Sequence, residues 1–350
     1  MASSVDHLYR WPVVFSSKVS NSRFSGSQDI LSVYSDETSL DIIEIFADSS
    51  PFANDSFKSE QFLRFCGPDA RKSEHLKHLD CKTVNVLLLS EVATLGPNPY
   101  PSGVALTARG LFQTLHQQVS AAADLHVSFD ADPKRQRVQR QLSESTSCED
   151  TRVFVTNLSR YALLALAATA PWEAIAPLRD AIYRHLMMES HFIIDVAADT
   201  IPRFSLEFHL PMYTIRRSEA LSADPRGLRK YLNISFLFQD DLSIDGSSRN
   251  EQYLLEAQTS CMIVGQHNTS WKAYMFADTY FDDEDPESAV EVWFPPAIGG
   301  SGYCDARLYW VLLLKHQANL VEGEWHHTVN TLIGFSRKYV RSQDASRALS

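Results

Sequence analysis

Carboxylates are the most crowded chemistry-bearing groups in the chain: Asp278, Asp282, Asp283, Glu284, Asp285, Glu287 and Glu291 form one short acidic segment. Hard cations such as Mg²⁺ and Ca²⁺ bind through several oxygen ligands. Asp278, Asp282, Asp283 and Asp285 are therefore the candidate metal ligands, and Mg²⁺ or Ca²⁺ the candidate cofactor. The spacing does not match an EF-hand loop, and no glycine supplies that loop's sharp turn. A solvated acidic loop at the end of a strand is the competing interpretation.

Twelve histidines invite the same question. His75 and His78 are three residues apart, and His316, His326 and His327 lie on one helical stretch. No HExxH occurs and no second Cys/His set completes four ligands, which argues against zinc. His209 sits in the alternating run Phe204–Leu210 and is expected to be half-buried and hydrogen-bonded to a neighbour. With Glu207 it forms the candidate pair for an enzyme with an unfamiliar site. The two are expected on opposite strand faces, so acting together would require a bulge.

Ser260-Cys261 lies mid-strand, away from any GxSxG elbow. Cys261 is flanked by Met262, Ile263 and Val264 and reads as core rather than as an activated thiol. Gly299-Gly300-Ser301-Gly302 lacks the Lys-Ser/Thr ending of a phosphate loop and reads as a hinge. No catalytic or cofactor-binding residue is assigned.

The chain that must position these groups has 350 residues, 32 Lys+Arg against 43 Asp+Glu, a net charge of −11 and 44% hydrophobic residues. Those figures exclude collagen-like, disulfide-scaffold and wholly disordered classes. The acidic balance argues against a nucleic-acid partner, since phosphate binding rests on Lys and Arg. Lys134, Arg135, Arg137 and Arg140 are a local exception that reads as a solvated face.

Cys66, Cys81, Cys148, Cys261 and Cys304 are odd in number and widely spaced, with no CxxC pair. Free thiols in a reducing, cytoplasmic compartment are expected. The N-terminal residues lack the apolar core of a secretory signal. No window approaches the ~20 apolar residues of a membrane span.

Four regions are expected: a Ser-rich, partly ordered segment over 1–60, a helical and mixed region with a mobile linker over 61–150, an α+β domain over 151–341, and a tail over 342–350. Within the second, Val84–Leu89 is β-like, Val104–Ala123 helical and Asp130–Asp150 linker. Leu158–Ala168 reads as a buried helix. A second helix is expected from Pro171 to Phe192, with Ile175, Leu178, Ile182 and Leu186 buried and Glu189 beyond the buried face.

From Ile201 the period changes from helical to alternating. Strands are expected at Phe204–Leu210, Leu232–Phe238, Gln252–Val264 and Trp271–Phe281, the last two joined by a five-residue link, in an antiparallel sheet. Asp305 is the expected cap of a long C-terminal helix reaching about Arg341. On it, Leu308, Val311, Ala318, Trp325, Val329, Leu332 and Tyr339 follow steps of three and four, interrupted by Lys315, Glu322 and Ser336. The fold class expected is α+β: an antiparallel sheet covered by helices, with a long C-terminal helix.

One ordered set of short blocks carries a family resemblance. Glu207-Phe-His-Leu-Pro211, Arg226-Gly-Leu-Arg229, Ile234-Ser-Phe-Leu237, Glu256-Ala-Gln-Thr-Ser260, Trp271-Lys-Ala-Tyr274 and Asp278-Thr-Tyr-Phe-Asp282 are followed by Asp305-Ala-Arg-Leu-Tyr309 and Glu324-Trp325. Over roughly residues 155–341 the chain resembles an uncharacterised group of filamentous-fungal proteins similar to the soluble region of CorA-like proteins. The resemblance implies an α/β domain feeding a long helix. This sequence departs from the transporters in having neither a transmembrane pair nor a Gly-Met-Asn pore motif, so ion conduction is not expected.

The functional expectation is a non-catalytic soluble interaction or regulatory protein, with a protein partner or self-association through the C-terminal helix. The alternatives are a divalent-cation-sensing domain and an enzyme with an unfamiliar site.

Overall fold

In a computed structural model, the chain is described over residues 42–48, 56–67, 84–90, 103–127, 149–197, 203–218, 223–241, 251–267, 270–281 and 305–348. Eight strands build one sheet: β1 (Val84–Ser90), β2 (Gly103–Thr107), β3 (Glu149–Thr156), β4 (His191–Ala197), β5 (Arg203–Ser218), β6 (Tyr231–Asn233), β7 (Glu251–His267) and β8 (Ser270–Ala277). Among the described residues six helices accompany it: α1 (Ile42–Asp48), α2 (Ser56–Cys66), α3 (Ala108–Val127), α4 (Arg160–Thr169), α5 (Trp172–Met187) and α6 (Ala306–Ala348).

The strand order is β2-β1-β3-β8-β7-β5-β4, with β6 added alongside β7. Every pairing is antiparallel except β3 with β8, which run parallel from Glu149↔Ser270 to Thr156↔Ala277. The α+β class therefore holds, but the sheet is mixed, not antiparallel throughout. The difference originates in β3. Its first two residues, Glu149 and Asp150, fall in the stretch that reads as linker, yet Val153, Phe154 and Val155 are buried on both faces. Arg152 is buried too, its guanidinium 5.2 Å from the Trp271 ring centre and 4.7 Å from that of Tyr309.

Both faces of the sheet are covered. One packs under α1–α5, in a core that joins Ile43, Phe46 and Phe62 to Ala162–Ala168, Ile175, Ile182, Met262 and Phe276. The other packs under α6, where Phe204, Leu206 and Phe208 of β5 and Trp271 of β8 meet Tyr309, Trp310, Leu313 and Val321. Two roofs explain why the polar side of β5 is not solvated as simple alternation suggests.

Local signals account for the helix ends. The Ser159 hydroxyl accepts from the Ala162 N–H and caps α4, as N-cap serines do. Pro171 is the N-cap of α5, whose C-cap Met188 adopts φ +57° and takes Glu189 N–H back to the Arg184 carbonyl. The helix thus stops short of Phe192, and the β-branched run that follows forms edge strand β4. Ile175, Leu178, Ile182 and Leu186 are buried and Glu189 is exposed, as their spacing requires.

Two further boundaries differ from expectation. The stretch from Leu232 is a three-residue strand followed by a 3-10 turn, Ser235–Asp241, and β2 precedes the helix expected from Val104. The β7–β8 hairpin is tighter than a five-residue link, because His267 pairs with Ser270. Asp305 does cap α6, its Oδ1 accepting from the N–H groups of Arg307 and Leu308. At 43 residues α6 extends about 65 Å, longer than the ~53 Å of the 16-residue strand β5 on which it lies.

Candidate functional site

Strand register creates the densest set of ionisable groups among the described residues. His209 of β5 stands opposite Ser260 of β7, and Glu207 stands opposite Met262. Residues two apart on a strand share a face, so Glu207 and His209 point the same way, with no bulge. The expectation that they face opposite sides is overturned. His209 Nε2 is 2.5 Å from Glu207 Oε1, and its Nδ1 is 2.8 Å from Ser260 Oγ.

The last turn of α5 closes over this pair. Arg184 donates to Glu207 Oε1 at 2.6 Å, and His185 Nδ1 lies 2.9 Å from the same Ser260 Oγ. His185 Nε2 is 3.5 Å from Asp278 Oδ1 at the end of β8. The turn Asp224-Pro-Arg-Gly227 completes the set: the Asp224 carboxylate accepts backbone N–H groups of Arg226, Leu228 and Arg229. Proline second and a left-handed glycine fourth suit that turn, and Gly227 has φ +66°.

So held, Arg226 donates to Asp278 Oδ1 at 2.8 Å and Arg229 to Oδ2 at 2.6 Å. Gln258 N–H donates to Oδ2 as well. Arg229 also ties the sheet to the end of α5 through the carbonyls of His185 and Leu186.

Electrostatics follow from burial and these partners. Burial pushes His185 down from its usual 6.5 to about 4, against the pull of Asp278. Burial likewise lowers His209, outweighing Glu207. For Glu207, burial works upward, but the hydrogen bond and charge of His209 together with Arg184 hold it below the usual carboxylate range. Asp278 lies well below that range because the Arg229 and Arg226 guanidinia outweigh burial.

Protons can then be assigned from the hydrogen-bond network. With Glu207 ionised and His209 neutral, the 2.5 Å contact requires the proton on His209 Nε2. Its Nδ1 is then an acceptor, so Ser260 donates to His209 and accepts from His185 Nδ1–H. His185 Nε2 is left without a proton, which accounts for its 3.5 Å separation from the carboxylate.

The order Glu207–His209–Ser260 contains an orienter, a base and a hydroxyl, the parts of nucleophilic catalysis. Exposure decides against that use: Ser260, His185, His209 and Asp278 are 0% exposed and Glu207 is 2% exposed. A substrate carbonyl reaches the hydroxyl only if α5 lifts. The arrangement as it stands clamps α5, β5, β7 and the 224–229 turn together.

The other candidate residues scatter. Asp278 is occupied by guanidinia, while Asp282, Asp283 and Asp285 lie outside the described residues, as do His75, His78, the basic group at 134–140 and the glycines at 299–302. His316 is half-buried on α6, and His326 and His327 are exposed there. Among the described residues no group of three or more His, Cys, Asp or Glu is placed to hold a metal ion. Cys66 and Cys261 are buried free thiols. Among the described residues no helix is long and apolar enough to cross a membrane.

Arg184, His185 and Ser260 were not identifiable as site residues from spacing, because they come from a helix end and a mid-strand position. Comparison with protein-family models, curated proteins and solved structures found no match.

Proposed function

We propose that this chain is a non-catalytic, soluble, cytoplasmic interaction or regulatory protein that works by pairing with a second copy of itself through the outward side of α6. The observation that carries this is the exposure of that side. The inward side, Ala306, Tyr309, Trp310, Leu313, Gln317, Val321 and Thr328, is buried against the sheet. On the outward side Leu308, Val311, Val329 and Leu332 are 55, 52, 44 and 37% exposed, whereas the Trp325 indole turns back to β5, donating to the Pro211 carbonyl and packing edge-on against Tyr213.

These four residues fall on the heptad positions of a coiled-coil seam. A surface helix needs one apolar stripe for its own core; α6 has two. The helix is fixed to the body along the middle of this stretch, by Thr259–Gln317 and by the Arg216–Glu324 pair, so the second stripe is presented on a firm base. The closed polar network beneath α5 supports the non-catalytic half of the proposal. The kinship with the soluble region of CorA-like proteins belongs to the same proposal, since a body feeding a protruding helix is what the resemblance implies.

Light scattering on the full chain tests the reading. At tens of micromolar protein the expected mass is twice 39.5 kDa, falling to the single value in Val311→Lys with Val329→Lys. A wild-type chain that stays monomeric overturns it.

A further inference from the structure

We draw no further inference here: the strongest candidate, the outer edge of β4, which no strand pairs among the described residues and whose Phe192, Ile194 and Val196 are exposed beside Trp310 of α6, carries nothing because nothing in the structure shows what covers it.

Discussion

His209 and Ser260 face each other across neighbouring antiparallel strands, with Nδ1 and Oγ 2.8 Å apart, and the same hydroxyl is 2.9 Å from His185. One oxygen therefore joins a strand imidazole to a helix imidazole. Because Glu207 fixes the proton of His209 on Nε2, it also fixes the direction in which Ser260 donates. The orientation of α5 over the sheet is thereby coupled to a carboxylate two residues along β5.

Ser260→Ala should cost about 2–4 kcal/mol of unfolding free energy. The change removes one small oxygen but leaves two buried imidazole nitrogens without a partner, each at about 1–3 kcal/mol. Urea unfolding followed by tryptophan fluorescence measures it. A loss under ~0.5 kcal/mol would mean that the hydroxyl is not the joint described here.

Asp278→Asn keeps the side-chain shape while removing the charge that faces Arg226 and Arg229. Breaking one side of a buried ion pair costs about 3–5 kcal/mol, and the loss should exceed that of Ser260→Ala. The paired outcome is checked by denaturant midpoints of the two variants. The reverse ranking would place the weight of the network at the serine.

Much of the layer structure is legible in the residues, and the reason is periodicity. The apolar positions Phe204, Leu206 and Phe208 give β5, and Ile175, Leu178, Ile182 and Leu186 give the buried side of α5. What periodicity cannot reveal is what covers the other face. Glu207 and His209 look like the solvated side of a half-buried strand until α5 is placed over them, because a polar residue reads alike in water and in a satisfied buried network.

The parallel β3–β8 pair is hidden for a similar reason. Glu149 and Asp150 suggest linker, and the burial of Arg152 beside them depends on two rings, Trp271 and Tyr309, more than a hundred residues away. The long helix is clear from its cap and length. Its two stripes, however, separate only when the sheet claims one of them.

Arg152→Lys should destabilise by about 1–2 kcal/mol. The guanidinium plane lies within 5.2 Å of two ring centres, a placement that a compact, strongly hydrated ammonium does not reproduce. Arg152→Ala adds a cavity and should cost about 3 kcal/mol. Thermal unfolding of both variants checks the ranking; equal stability of Lys and Arg here would show that the stacking contributes nothing.

Acid should destabilise the fold in two phases, and the sign follows from which state holds the protons. His185 is a base whose folded value is lowered to about 4, so between pH 6.5 and 4 the unfolded chain binds a proton that the folded chain refuses. Its contribution is complete above pH 6.5 and is lost as pH falls toward 4, by about 3 kcal/mol in all. His209 is lowered in the same direction and adds to the loss. Glu207 and Asp278 are acids held below their ordinary range, so their contribution persists above about pH 4 and disappears only below it. Urea midpoints from pH 7.5 to 4 should show stability falling with acid from about pH 6.5, and His185→Gln should flatten that slope by up to about 1.4 kcal/mol per pH unit near pH 5. A slope unchanged by the substitution would assign the acid sensitivity to groups other than this buried imidazole.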